Sequence, residues 1–484
     1  MDRVICDRAR LARDPRFDGL FFIGVKSTGI YCRPICPAPS PRPENIVYYP
    51  TAAAAAADGL RPCLRCRPET APGSPAWNGT SATVTRAMNL IRQGALEDGS
   101  VDHLAARLGL SARHLRRLFR LHIGATPKTI ADHQRLLFAK QLIVETDLPI
   151  TQVAMAAGYG SIRRFNAAFA KGLGRSPSDL RSVRHQKRHR SNSEISCSLR
   201  LNYRPPYDWD RMLAFFRERV IPGVEHVDGG TYRRSIRLLD CRGAIAIRHA
   251  SKGFALKLDI SLTDNRHLMA VVERIRRMFD LDANPQAIHQ TLAKDPLLDQ
   301  LIRKAPGLRL PGSWDPFETS IRAVVGQQIS VKAAITQLGR IARLAGPLYD
   351  QGGNAHLLHY FPTAAELASI DMASIGLPTK RKATIVQLSR NVASGELRLD
   401  AAGGCSRFVD ALTAIPGIGS WTANYVAMRG LGEPDAFPAS DLGIVKALQD
   451  GTIRPTSSEV AARAEAWRPW RAYAAVYLWQ IQEQ

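Results

Sequence analysis

Apolar positions along this chain change their period several times, and each change marks a change of element. Residues 1–70 hold one short apolar run, FFIGV (21–25), among turns and cysteines. From 80 to 180 apolar residues recur at three- and four-residue steps punctuated by Gly and Pro, which predicts short amphipathic helices. Between 198 and 310 the runs RGAIAIRH (242–249) and GFALKLDISL (253–262) alternate as half-buried strands do, with a helical segment at 266–279. From 314 to 484 the pattern is again mostly helical. RPETAPGSPAWNGT (67–80) and RSVRHQKRHRSNSEIS (181–196) lack apolar periodicity and are read as linkers that hold no packed element. At about 150 residues per domain, a chain of 484 residues has room for three or four domains. The expected fold class is multidomain α+β: a small cysteine-bearing domain (1–70), an all-α domain (80–180), a mixed α/β domain (198–310) and a second all-α domain (311–484).

The first helical section repeats itself. LAARLGLSARHLRRLFRLHIGATP (104–127) is echoed by VAMAAGYGSIRRFNAAFAKGLGRSP (153–177), so that Phe119, Gly124 and Pro127 recur as Phe169, Gly174 and Pro177. In the first copy Leu104, Ala105, Leu108, Leu115 and Phe119 supply the inward positions of two short helices, with Gly109 at the turn and Ser111 as a cap. The second helix then displays Arg113, His114, Arg116 and Arg117; its counterpart carries Ser161, Arg163, Arg164 and Asn166. Such side chains suit phosphates and base edges in a major groove.

Charge strengthens that reading. The formal net charge is +23, from 66 Lys+Arg against 43 Asp+Glu, and residues 1–190 alone carry +16 of it. A polyanionic partner is expected, with nucleic acid ahead of a membrane surface; the major-groove reading above makes that nucleic acid double-stranded DNA. No apolar run reaches the length of a spanning helix, and MDRVICDRARLARD lacks a signal-peptide core, so the expected location is the cytoplasm.

Four of the eight cysteines fall in two close pairs, Cys32 with Cys36 and Cys63 with Cys66. Each pair can give two thiolates to one tetrahedral ion, and sulfur suits zinc. Spacing alone leaves four reduced structural thiols as the alternative. The surrounding sequence, FDGLFFIGVKSTGIYCRPICPAP followed by GLRPCLRC, closely resembles the N-terminal domain of the bacterial Ada family. The resemblance implies that Cys32, Cys36, Cys63 and Cys66 hold one zinc ion. It also implies that Cys32 is the nucleophile that takes a methyl group from a methylphosphotriester in DNA. Lys26 and Arg33 are then candidate phosphate contacts. The duplicated unit, with the joining segment HQRLLFAKQLIVETDLPI, resembles the AraC-type DNA-binding domain. Its arginines Arg113, Arg116, Arg117, Arg163 and Arg164 become candidate DNA contacts, and RNA polymerase a candidate partner.

In the last section, AIPGIGSWTANYVAM (414–428) places Gly417 and Gly419 where a tight hairpin can turn backbone N–H groups toward a phosphate. Twenty residues after Trp421 comes Asp441, in FPASDLGIVKAL; taken alone it reads as a helix N-cap. Together with WDPFETSIRAVVGQQISVKAA, WRPWRAYAAVYLW and LNYRPPYDWDRMLAFF, these segments resemble the AlkA branch of the helix-hairpin-helix DNA glycosylases, over roughly 200–480. The resemblance implies that Asp441 is the catalytic carboxylate, that Trp421, Tyr425 and Trp479 line a base pocket, and that Gln327 and Gln328 enter the DNA stack. Position 328 departs from the branch, whose wedge there is apolar. Trp421 stands where bifunctional members carry a lysine, so cleavage of the N-glycosidic bond of alkylated purines such as 3-methyladenine is expected, without strand scission. No iron–sulfur cluster is expected, because Cys405 stands alone in the last section, 311–484. The expectation is thus a methylation-sensing transcription regulator fused to a monofunctional DNA glycosylase, in monomeric form.

Overall fold

The computed structural model describes residues 2–72, 82–96, 99–182, 195–349 and 355–482. Residues 73–80 and 183–194 of the two expected linkers lie outside these. The flanks of both linkers do hold packed elements. Pro68–Thr70 is a short 3-10 helix with Pro68 and Thr70 buried, and strand β5 already begins at Ile195.

The N-terminal module is a small sheet of β1 (Phe22–Val25), β2 (Ile30–Cys32), β3 (Ile46–Tyr49) and β4 (Arg61–Pro62), ordered β3-β1-β2-β4. All four residues of β1 are buried, as an interior strand requires. β2 and β4 run parallel, pairing Ile30 with Arg61 and Tyr31 with Pro62. That register sets Cys32, the last residue of β2, level with Cys63, the residue that follows β4.

The repeat folds as two helix-turn-helix units, Val101–Arg107 with Ala112–Ile123 and Ile150–Ala156 with Ile162–Leu173. They are joined by the 19-residue helix Pro127–Glu145. Ser100, Ser111 and Ser161 cap their helices through Oγ, and Gly124 and Gly174 end them in the left-handed region. Leu104, Ala105, Leu115 and Phe119 are fully buried, as are Val153, Ala154, Phe165 and Phe169.

The mixed section is an antiparallel sheet, β5 (Ile195–Asn202), β6 (Glu225–Asp228), β7 (Thr231–Leu238), β8 (Cys241–His249) and β9 (Ala255–Leu262), ordered β5-β9-β8-β7-β6. The helix Leu268–Met278 buries Leu268, Val271, Val272, Ile275 and Met278 at helical spacing. Helices dominate from Pro285 onward. Apolar clusters run across the four sections. One joins Leu136–Leu180, of the connecting helix and the second helix-turn-helix, to Leu199–Trp314 of the sheet section, and another spans Ile221 to Leu478. Between sheet and helices, Arg234 pairs with Glu318 at 2.8 Å and Arg322 with Glu225 at 2.6 Å, all four being largely buried. Burial alone would raise the Glu318 carboxyl; the two guanidiniums hold it down at about 2.

Candidate active site and metal centre

The short helix Leu442–Ala447 begins at Asp441, whose Oδ1 accepts the N–H groups of Gly443 at 2.9 Å and Ile444 at 3.1 Å. The cap reading of Asp441 is therefore correct as far as it goes. The same carboxylate also accepts Trp421 Nε1–H at 2.7 Å on Oδ2 and Trp479 Nε1–H at 2.9 Å on Oδ1. Trp421 lies on the helix Ser420–Val426 and Trp479 ends the helix Arg471–Trp479, so three helices converge on one carboxylate. Trp421 stacks on Tyr425 with centroids 5.2 Å apart and planes 16° from parallel, which leaves the pair one outer face each.

These residues line a cavity of about 380 Å³ that also takes in Phe215, Trp314 and Arg429. The cavity thus lies between the mixed section and the helical one, a usual place for a ligand. Arg429, one of the residues lining it, sits on a π-helical turn, Ala427–Leu431. The guanidinium gives Nη1–H to Tyr425 Oη at 3.1 Å and sits 4.2 Å from the Phe215 ring centroid. Burial draws its ionisation down to about 10, which still leaves a cation at neutral pH.

The hairpin follows the helix Cys405–Thr413. Gly417 adopts φ +91°, and a Cβ there would lie 2.2 Å from Thr384 Oγ1. Gly419 is exposed, and a Cβ there would meet nothing within 4 Å. The glycine needed for the turn and the glycine that leaves the surface open are thus separate positions. Gln327 is tied to this hairpin: its Nε2 donates to Gly417 O and to Thr422 Oγ1, both at 3.0 Å. Gln328, exposed at φ +56°, is carried outward by the braced loop.

At the N-terminal end, the Sγ atoms of Cys32, Cys36, Cys63 and Cys66 all lie within 4.8 Å of one another. Tetrahedral Zn–S bonds of about 2.3 Å would set sulfurs about 3.8 Å apart, so the donor set and its size fit zinc. Cys63 and Cys66 are buried, whereas Cys32 and Cys36 are partly open. Hydrogen bonds with Cys36, Cys63 and Cys66, and then burial, push the Cys32 thiol far above the usual thiol range, a state that a divalent cation reverses. Cys66 Sγ accepts the Arg33 N–H at 3.3 Å. Arg33 itself corrects an expectation. It is 5% exposed, pairs with Asp18 and donates to Cys66 O at 3.0 Å, so it buttresses the cysteine loop and offers nothing to a phosphate. Lys26 is exposed.

In the helix-turn-helix units, Arg113, Arg116 and Arg117 are exposed on Ala112–Ile123, and Arg163 and Arg164 on Ile162–Leu173. Cys241 is buried, Cys197 and Cys405 partly so, and burial raises all three thiols to about 11 or 12.

Three family profiles match the chain: the metal binding domain of Ada over 5–69, a helix-turn-helix domain over 104–182, and the AlkA N-terminal domain over 198–315. The probable bifunctional transcriptional activator/DNA repair enzyme AlkA of Mycobacterium tuberculosis is 42% identical over 480 residues, spanning 99% of this chain and 96% of its own. The chain belongs to the family of bifunctional transcriptional activator/DNA repair enzymes typified by that AlkA. DNA-3-methyladenine glycosylase 2 of Escherichia coli is 33% identical over 282 residues, covering 58% of this chain and 95% of its own. Among solved structures, the 3-methyladenine DNA-glycosylase from Archaeoglobus fulgidus aligns over 58% of this chain and 96% of its own, with a TM-score of 0.52 and 24% identity. That likeness bears on fold alone.

Sequence reading missed three features of the site: the indole N–H groups aimed at Asp441, the Arg429–Phe215 contact in the cavity wall, and the bracing role of Gln327. Phe215 comes from the mixed section and Gln327 bonds across 90 residues, so only the tertiary fold brings them in.

Proposed function

We propose that the chain is a methylation-sensing transcription regulator of the alkylation response, fused to a monofunctional glycosylase that removes alkylated purines such as 3-methyladenine from DNA. The observation that carries the reading is Asp441, fixed by two indole and two backbone donors at the edge of an aromatic-lined cavity. On this reading residues 1–70 accept the methyl group, 80–180 bind promoter DNA, and 198–310 support the glycosylase of 311–484. Partners are double-stranded DNA and RNA polymerase, the chain is a monomer in the cytoplasm, and no iron–sulfur cluster takes part.

For base removal, the nucleotide is extruded so that its base meets Trp421, Tyr425 and Trp479. Aromatic faces favour the cationic ring of an alkylated purine. As the C1′–N bond breaks, its electron pair leaves with the base, which becomes neutral, and positive charge develops on the sugar. Asp441 answers that charge at fixed range, and water adds to C1′ and gives up one proton to the solvent. Trp421 supplies no amine, so no covalent imine forms and the strand stays intact. Gly417 and Gly419 present hairpin amides to a phosphate, and Gln328 fills the space that the base leaves.

For the methyl acceptor, Cys32, Cys36, Cys63 and Cys66 would hold zinc, which supplies ionised thiolates at neutral pH. Cys32 Sγ bonds to the methyl carbon of a methylphosphotriester. The methyl C–O bond breaks, its electron pair stays on the phosphate oxygen, and a neutral thioether replaces the thiolate. One negative charge is thereby removed beside DNA, which strengthens binding by the regulatory half. Intact-mass measurement of the zinc-loaded chain after exposure to methylphosphotriester DNA tests the assignment. A gain of one methyl in place of hydrogen, lost in Cys32→Ala, is expected; an unchanged wild-type mass contradicts it.

A further inference from the structure

Gly443 stands in the site for a reason other than backbone freedom. It is the second residue of the helix Leu442–Ala447 and does not take a positive φ. Inside a helix glycine is a poorer choice than alanine, because it gives up more conformational freedom on folding. Its neighbours serve the helix in ordinary ways: Leu442 is exposed and Ile444 is fully buried. Gly443 donates its N–H to Asp441 Oδ1 at 2.9 Å, which an alanine would do as well. What an alanine cannot keep is the space beside it.

A Cβ at position 443 would lie 2.9 Å from Asp441 Oδ1, 3.0 Å from Trp479 Cδ1 and 3.4 Å from Trp479 Nε1. These atoms belong to the two partners of the 2.9 Å bond from the Trp479 indole to Asp441 Oδ1. A methyl group there overlaps both, so one of them must move. Asp441 is the firmer of the two. It also accepts the Ile444 N–H and, on Oδ2, the Trp421 indole, besides Gly443 itself. The Trp479 indole has a single N–H to give, and Asp441 is its acceptor. Trp479 is therefore the side that yields.

The usual reasons for a glycine do not apply. Gly417 needs its φ of +91° to make the hairpin turn, and Gly443 has no such demand. Nor does another strand or helix press its backbone on this position, since the three nearest atoms are all in the side chains of Asp441 and Trp479. The close approach that Gly443 permits is that of the site itself.

We propose that Gly443 is a positioning residue of the glycosylase: the side chain it lacks is what lets the Trp479 indole reach Asp441 and hold the carboxylate in place. This rests on the reading of Asp441 as the catalytic carboxylate. The test is single-turnover base release from DNA bearing methylated purines, by the full zinc-loaded chain. The tryptophan indole N–H resonances are recorded in parallel by NMR and assigned through Trp421→Phe and Trp479→Phe. Gly443→Ala is expected to slow release roughly ten- to a hundred-fold, the worth of one hydrogen bond to a charged group. The Trp479 resonance is expected to move upfield while that of Trp421 stays. In a Trp479→Ala background the added methyl has no ring to strike, so Gly443→Ala is expected to change neither release rate nor melting temperature there. Should the single variant fail to fold, Trp479→Ala is expected to restore folding, and a double variant that stays unfolded overturns the proposal. Release by Gly443→Ala at the wild-type rate, slowed release with the Trp479 resonance unmoved, or an equal further loss in the Trp479→Ala background overturns it too. Absence of release by the wild type overturns the Asp441 reading beneath it, and the Trp479 resonance then still decides the geometry.

Discussion

At the residue scale the reaction depends on how Asp441 is held. A capping aspartate needs two backbone N–H groups, and Asp441 has them; the indoles of Trp421 and Trp479 are additional and come from other helices. Four donors around one carboxylate fix its position before substrate arrives, which is what a charge opposing a developing cation requires. Trp421→Phe and Trp479→Phe each keep an aromatic face and delete one N–H. Each is expected to lower the base-release rate roughly ten- to a hundred-fold, the worth of a hydrogen bond to a charged group, with thermal stability nearly unchanged. Equal rates in variant and wild type would show that the indoles only fill space. Local spacing made Asp441 legible as a cap, and only the resemblance to the AlkA branch made it a candidate catalyst. The indole bonds leave no mark in local spacing, since 20 and 38 residues separate the partners.

At the element scale the hairpin separates two tasks between two glycines. Gly417 is required by its own backbone, at φ +91° and against Thr384. Gly417→Ala is expected to cost about 2–4 kcal/mol of stability and to weaken DNA binding through the distorted turn. Gly419 has an ordinary φ of −92° and open space beside it. Gly419→Ala is therefore expected to fold as the wild type does and to lose affinity for DNA of any sequence, as chemical denaturation and a binding titration would report. The elements themselves were readable wherever a cap, a left-handed glycine and periodic burial coincide, as in the helix-turn-helix repeat. Arg33 was misread because a basic residue beside a nucleophile resembles a phosphate ligand in sequence, while Asp18, its actual partner, lies 15 residues away.

At the scale of the whole molecule, the helix Pro127–Glu145 is a shared spine. Its Lys140 forms a 2.6 Å pair with Glu69 of the cysteine module, and its Glu145 accepts Arg67 at 2.8 Å and the Arg200 N–H of β5 at 2.9 Å. Arg204 of the mixed section, fully buried, donates to Asp18 O at 2.8 Å, and Arg107 pairs with Asp400 of the helical section at 2.9 Å. The regulatory and repair halves thus share buried polar contacts as well as apolar ones. None of this was legible from composition, because each partner read separately is an ordinary charged residue. The central claim, that the shared scaffold carries a base-excision site at Asp441, is tested most directly on DNA bearing methylated purines. Free methylated bases released by the intact chain, no strand nicking, and release abolished in Asp441→Asn are the predicted results. Release that persists in Asp441→Asn, or no release by the wild type while it still binds DNA, would contradict the account.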